Sequence, residues 1–127
     1  MPIQTIEQER AKYALEKVQA VNPRDFDEWK ARANEMPAMI QMNGLGQTVA
    51  FYLSKGGVHK QMYEILSDWL CKEKTNPNVE WKYANIEIYE KKLIDGITQG
   101  DMKTYRVAQA EAQALLIWVK KFSKAYC

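Results

Sequence analysis

The sequence predicts an all-α fold, a single-domain helical bundle of about five to six helices. Apolar residues recur at three- and four-residue spacing in almost every long segment, which is the period of an amphipathic helix. The 127 residues include only six glycines and four prolines, too few for a turn-rich β-sandwich or a disordered chain. No repeat, linker or low-complexity tract divides the chain, so residues 1–127 are expected to form one domain.

The first helix is expected to begin after Thr5 and to run to about Val21. Residues 5–8 have the form of a capping box, in which the Thr5 hydroxyl accepts from a first-turn amide and Gln8 reaches back to the cap. Pro23 ends this helix, because the residue before a proline is pushed out of the α region. The predicted buried face comprises Ile6, Tyr13, Ala14, Val18 and Val21.

Two helices are predicted next, over about 27–35 with Asp25 as the cap, and over about 37–54 with Pro37 in the first turn. The second of these is apolar around nearly its whole circumference, which predicts a buried, central helix. Gly44 and Gly46 each cost it about 1 kcal/mol in helix propensity. Close approach of a neighbouring backbone is the expected compensation. Residues 55–57, Lys-Gly-Gly, are suited to a C-cap that ends the helix.

Three further helices complete the predicted bundle. The fourth, about 58–72, has an apolar face that includes Trp69, and the fifth is expected over about 81–93. Residues 95–100 are predicted to form a loop. The last helix, about 102–125, is long and amphipathic, and Asp101 is placed to cap it. Its predicted core stripe is Tyr105, Ala108, Ala112, Leu115, Leu116, Val119 and Phe122.

Positive charge is concentrated in two segments, although the formal net charge is only +2. Residues 36–60 contain Lys55 and Lys60 and no acid, and residues 102–127 contain five cations against Glu111. At about 100° per residue, these five cations share an arc of roughly 100° on the last helix, about 30 Å long. We call this face the basic strip; it consists of Lys103, Arg106, Lys120, Lys121 and Lys124.

The basic strip is compatible with two interpretations. A solvated face that complements the helix dipole accounts for the lysines near the C-terminus. It does not account for Lys103 and Arg106, because they lie in the first turns, where a positive charge opposes the dipole. A nucleic-acid surface accounts for all five, since the strip is as long as several nucleotides of phosphate backbone.

The sequence contains no recognisable catalytic or cofactor motif. His59 is the one histidine, expected at a surface turn, and no cysteine or carboxylate lies at metal-ligand spacing from it. Gly44 and Gly46 lack the third glycine and the preceding strand of a dinucleotide fingerprint. We therefore expect no enzyme activity, metal, cofactor or small-molecule substrate. No apolar run approaches about 18 residues, and two cysteines are few for a secreted protein, so we expect a cytoplasmic protein without a membrane segment.

Three stretches resemble a known family, the small subunit of the type III-B (Cmr) CRISPR effector complex, the fifth Cmr protein. They are residues 36–51, with Met-Pro-Ala-Met-Ile followed by Asn-Gly-Leu-Gly-Gln, residues 105–122, and residues 5–14. The resemblance implies a non-catalytic subunit that is repeated along a ribonucleoprotein filament in antiviral defence. The implied partners are the backbone and large Cmr subunits, further copies of the chain, crRNA and target RNA.

The resemblance also implies RNA-binding residues. The basic strip, with Lys55, Arg10 and Lys17, is expected to face RNA phosphates, which carry no sequence information and so suit any guide. Two other function classes remain open. One is a helical protein–protein adaptor without direct RNA contact, and the other is a small hydrolase or nuclease that would use His59.

Overall fold

The computed structural model describes residues 5–71 and 93–127, and every regular element in these ranges is helical, which confirms the all-α fold. A 3-10 turn at Pro23–Asp25 joins the first two helices. The predicted helix over 81–93 lies outside the described residues except for Leu93. The helices are α1 (Ile6–Gln19), α2 (Phe26–Asn43), α3 (Leu45–Lys55), α4 (Gly57–Leu70), α5 (Leu93–Gln99) and α6 (Met102–Tyr126).

Helix α6 is the element against which α1 and α2 pack, while α3 packs against α4. Its predicted core stripe is confirmed: Tyr105 and Phe122 are partly buried and the residues between them on the stripe are buried. None of the helices in the described ranges is long and apolar enough to span a membrane.

The start of α1 confirms the capping box. The Thr5 hydroxyl oxygen accepts a hydrogen bond from the Gln8 amide at 3.1 Å, and the Gln8 side chain accepts one from the Thr5 amide at 2.8 Å. Asp25 occupies the predicted N-cap position of α2, but its side chain makes no capping hydrogen bond. The side-chain cap in this region belongs to the preceding 3-10 turn, where the Asn22 side chain accepts a hydrogen bond from the Arg24 amide.

The predicted helix boundary at Pro37 is wrong, because Pro37 lies inside α2. Ala33, Met36 and Ile40 form one buried face on both sides of the proline, and this packing keeps the helix continuous. The helix ends instead at Gly44, where φ is 86° and ψ is 161°, a conformation that is essentially restricted to glycine.

Side chains from α6 hold the junction between α2 and α3. The first amides of α3 have their partners there: Leu45 donates to Gln109 Oε1 at 2.9 Å, and Gly46 donates to the Tyr105 hydroxyl at 2.8 Å. A Cβ at Gly46 would lie 3.3 Å from that hydroxyl oxygen. The close neighbour of these glycines is therefore a tyrosine side chain and not the backbone that we expected.

The predicted apolar, central helix over 37–54 does not exist as one helix. Its residues are divided between α2 and α3, and each part has an exposed side. Met42 is 81% exposed and Phe51 is also exposed. The residues before and after Gly44 belong to two helices that bury different faces. When they are plotted as one helix, apolar residues therefore appear on all sides.

The α3–α4 turn and the face of α4 agree with the sequence prediction. Gly56 and Gly57 follow the end of α3 and both have positive φ, 71° and 54°. Met62, Ile65, Leu66, Trp69 and Leu70 are all buried.

The predicted loop over 95–100 is wrong, because most of it belongs to the short helix α5. Side chains of α4 cap its start. The Leu93 amide donates to Ser67 Oγ at 3.1 Å, and the Ile94 amide donates to the Tyr63 hydroxyl at 3.1 Å. These tertiary hydrogen bonds pair amides near the start of the helix that a helix cannot pair internally, and they favour a helix in spite of Gly96.

Replacing Gly44 by alanine is expected to lower the free energy of unfolding by about 1–3 kcal/mol, because any other residue is strained in this conformation. The new Cβ would also lie 3.1 Å from the Tyr105 hydroxyl oxygen. Urea denaturation followed by circular dichroism measures the change. Gln41→Ala, at an exposed position of α2, is the matched control and should change it by less than about 0.5 kcal/mol. Equal values for the two variants would contradict the strained helix break.

Candidate nucleic-acid interface

The basic strip lies on the outer face of α6. Lys103, Arg106, Lys121 and Lys124 are exposed, and Lys120 is half-buried. Among residues 5–71 and 93–127, no ion pair holds any of the five. From its first to its last member the strip is about 30 Å long, since a helix rises about 1.5 Å per residue.

The basic strip borders α2 on one side and has an apolar side chain at its centre. Gln113 Nε2 donates to the Pro37 carbonyl oxygen at 3.0 Å, so this part of α6 borders α2. Ile117, in the middle of the strip, is 55% exposed. The surface is therefore cationic at both ends, with an apolar centre.

Asp101 offsets the positive charge at the start of α6. Its side chain accepts a hydrogen bond from the Thr104 amide at 2.7 Å, as the sequence predicted. This hydrogen bond, with a smaller contribution from the Lys103 charge, lowers the pKa of the Asp101 carboxyl group below its ordinary value. The cap is thus ionised at neutral pH, which accounts for a lysine in a first turn that otherwise disfavours cations.

Glu111, the one acid of α6, faces the interior of the bundle and away from the basic strip. Its carboxylate accepts hydrogen bonds from Arg10 Nε and Nη2, both at 2.7 Å, and from Trp69 Nε1 at 2.9 Å. Arg10 also pairs with Glu7. The side chains of Arg10 and Glu111 are only 15% and 16% exposed. The outer face of α6 is left without a carboxylate of its own.

The three other predicted RNA contacts do not lie on the basic strip. Arg10 belongs to the ion pair with Glu111, whose hydrogen bond raises the pKa of the guanidinium. Lys17 lies 5.3 Å from the centre of the Tyr13 ring and lines a groove between α1 and α4 with Glu64 and Asp68. Lys55 lies at the α3–α4 turn, with its ammonium 5.2 Å from the centre of the Phe51 ring. The sequence alone could not show that these three residues lie away from the basic strip, because α1 and α3 are far from α6 along the chain and only the fold sets their relative positions.

His59 is not the surface residue that the sequence suggested. Its side chain is 13% exposed, and Nε2 lies 3.0 Å from Arg32 Nη1. The Tyr52 ring packs against it at 5.0 Å, and the Tyr52 hydroxyl donates to Glu35 at 2.7 Å. Burial, followed by this hydrogen bond, raises the pKa of Tyr52. His59 therefore belongs to the contact between α2, α3 and α4.

The described residues offer no metal site. No group of three or more histidine, cysteine, aspartate or glutamate side chains in residues 5–71 and 93–127 is arranged to hold an ion. The chemistry that this surface offers is the binding of anions by exposed cations.

The chain is similar to a family of CRISPR-associated proteins. The family model described as CRISPR-associated protein (Cas_Cmr5) matches residues 6–126. A crystal structure described as a CRISPR-associated Cmr5 family protein from Thermus thermophilus matches with a TM-score of 0.71 and 24% sequence identity. The match covers 96% of this chain and 97% of that chain, so the two folds are alike over nearly their whole length.

We expect Glu111→Gln to lower the free energy of unfolding by about 1.5–3 kcal/mol, because Arg10 then loses its less exposed carboxylate partner and keeps only Glu7, which is 58% exposed. Denaturant unfolding measures this change. Glu16→Gln, at an exposed position of α1, is the control and should leave it nearly unchanged.

A double-mutant cycle tests whether the two side chains act as a pair. The combined loss in Arg10→Gln with Glu111→Gln should be smaller than the sum of the single losses by at least about 1 kcal/mol. Additive losses would show that the ion pair does not couple α1 to α6.

Proposed function

Because the chain belongs to the Cas_Cmr5 family, which makes it a subunit of a type III-B CRISPR complex, we propose that it binds target RNA along the basic strip. The family membership confirms the resemblance that the sequence motifs indicated. In the proposed role, the chain is a non-catalytic subunit whose copies line the channel in which target RNA pairs with crRNA.

The observation that carries this proposal is the electrostatic character of the outer face of α6. Four cations are exposed over about 30 Å, while Glu111 is held inside by Arg10 and Trp69. Cations that contact phosphates do not read bases, and a subunit of a guided complex must accept every target sequence.

Stacked copies would strengthen such binding. A strip with four or five cations binds RNA weakly at physiological salt, because each phosphate contact is screened. Copies aligned on one RNA strand raise the effective concentration of every further contact. We therefore propose that the affinity arises in the assembled filament, where the chain contacts further copies of itself and the crRNA-bearing subunits.

No catalytic step is assigned to the chain in this proposal. The histidine that a nuclease would need is held by Arg32 and packed against Tyr52. The proposed contribution to the complex is thus to position RNA, while bond cleavage belongs to other subunits.

A second candidate function is a protein–protein adaptor without RNA contact. It is favoured by Ile117, because an exposed apolar side chain in the middle of the basic strip is better covered by a protein surface than by phosphates. Charge reversal on the basic strip distinguishes the two functions. It should remove RNA binding if the strip contacts RNA, and it should remove assembly if the strip contacts protein.

The variant Arg106→Glu with Lys121→Glu and Lys124→Glu should raise the Kd of the reconstituted complex for target RNA at least about tenfold. The slope of log Kd against log salt should fall by about 0.7 for each lost phosphate contact. Lys12→Glu, an exposed cation of α1, is the control. Unchanged RNA affinity together with loss of the subunit from the complex would favour the adaptor function.

His59→Ala tests the absence of catalysis. Each RNA-cleavage rate of the reconstituted complex, normalised to the amount of assembled subunit, should equal that of the wild type. A loss of cleavage with unchanged assembly would show that His59 takes part in a reaction and would contradict the proposal.

A further inference from the structure

A groove opens where the end of α3, the start of α4 and the start of α5 meet. Its volume is about 580 Å³. The wall of this α3–α4 groove is aliphatic, formed by Ala50, Leu53 and Ile94, and Lys55 and Lys60 lie at its rim. It is separate from the basic strip, since these five residues belong to α3, α4 and α5.

The rim of the α3–α4 groove carries two exposed lysines, Lys55 and Lys60. The nearest acids along α4 and α5 are Glu64 and Asp95, and within residues 5–71 and 93–127 neither forms an ion pair with these lysines. The first turn of α4 has neither an acidic residue nor a side-chain cap, so the positive end of its dipole adds to the two lysines. Charge complementarity therefore favours an acidic occupant.

The wall favours an apolar side chain over a nucleobase. A nucleobase is held by stacking on an aromatic ring, and the described residues that line the groove include none. The nearby Phe51 ring is not among the lining residues: it lies at a steep angle to the His59 ring, with centroids 5.9 Å apart, and the Lys55 ammonium lies over it. Aliphatic walls gain free energy by removing an apolar side chain from water.

We propose that the α3–α4 groove docks an acidic segment of a different protein subunit of the complex. An apolar side chain of that segment packs against Ala50, Leu53 and Ile94, and its carboxylates pair with Lys55 and Lys60. The inference uses the family membership but not the RNA-binding role of the basic strip. It assigns Lys55 to a protein contact instead of the RNA contact that the sequence predicted.

Photo-crosslinking in the assembled complex tests this directly. Ser54 lines the groove and is exposed, so a p-benzoylphenylalanine placed there reacts with whatever occupies it. After irradiation of the complex reconstituted with crRNA and target RNA, mass spectrometry identifies the crosslinked partner. The expected product is a peptide of another subunit with at least two acidic residues next to an apolar one. A crosslink to RNA, to this polypeptide or to a non-acidic peptide, or no crosslink, would overturn the proposal.

Charge reversal at the rim gives an independent test. Lys55→Glu with Lys60→Glu should reduce incorporation of the subunit into the complex at least about tenfold, whereas Lys121→Glu with Lys124→Glu should not. Ala50→Trp, at an exposed position, fills the groove without a change of charge and should cause the same loss. Circular dichroism of each variant shows that it is folded. Normal incorporation of the folded groove variants would overturn the proposal, whatever the strip variants do to RNA affinity.

Discussion

The carboxylate of Glu111 is the contact on which the arrangement of α1, α4 and α6 depends. It receives a two-pronged hydrogen bond from Arg10 of α1 and a third from Trp69 of α4. A charge with so little exposure to water is tolerated only when its lone pairs are satisfied, so the three side chains fix one another's positions. Apolar packing alone would let α1, α4 and α6 shift along one another, and the hydrogen bonds to Glu111 fix one register.

The same contact determines the electrostatics of the outer surface. Glu111 is the one acid of α6, and it points toward the interior of the bundle. The lysines and the arginine of the basic strip therefore have no carboxylate on their own helix that would compete with RNA phosphates for them. Asp101 is the exception at the helix start, where it caps the first turn and partly offsets Lys103. Folding and the proposed RNA binding are thus linked. Loss of the ion pair between Arg10 and Glu111 would free a carboxylate on α6, the helix that carries the basic strip.

The short helices depend on side chains from their neighbours. Tyr105 and Gln109 pair the first amides of α3, and Tyr63 and Ser67 pair those of α5. These hydrogen bonds pair amides near the start of each helix, and for α3 they replace a local side-chain cap, which Gly44 cannot supply. The hydrogen bonds to Tyr63 and Ser67 also place the start of α5 beside α4, where Ile94 lines the α3–α4 groove. The basic strip therefore lies on α6 itself, whereas the groove is formed by α3, α4 and α5, with α6 side chains holding the start of α3.

The sequence by itself determined the features that depend on neighbours within one helical turn. The capping box of α1, the Asp101 cap, the buried faces of α4 and α6 and the shared face of the basic strip all follow from local spacing, and the structure has each of them. Only the tertiary structure decided where the helices begin and end. Packing keeps α2 continuous through Pro37, and hydrogen bonds to α4 stabilise α5 where a loop was predicted. The tertiary structure also decided which cations are exposed and available for the proposed RNA binding, and Arg10 is not one of them because it pairs with Glu111. Arg10 and Glu111 are 101 residues apart, and no local pattern indicates that two such side chains will meet.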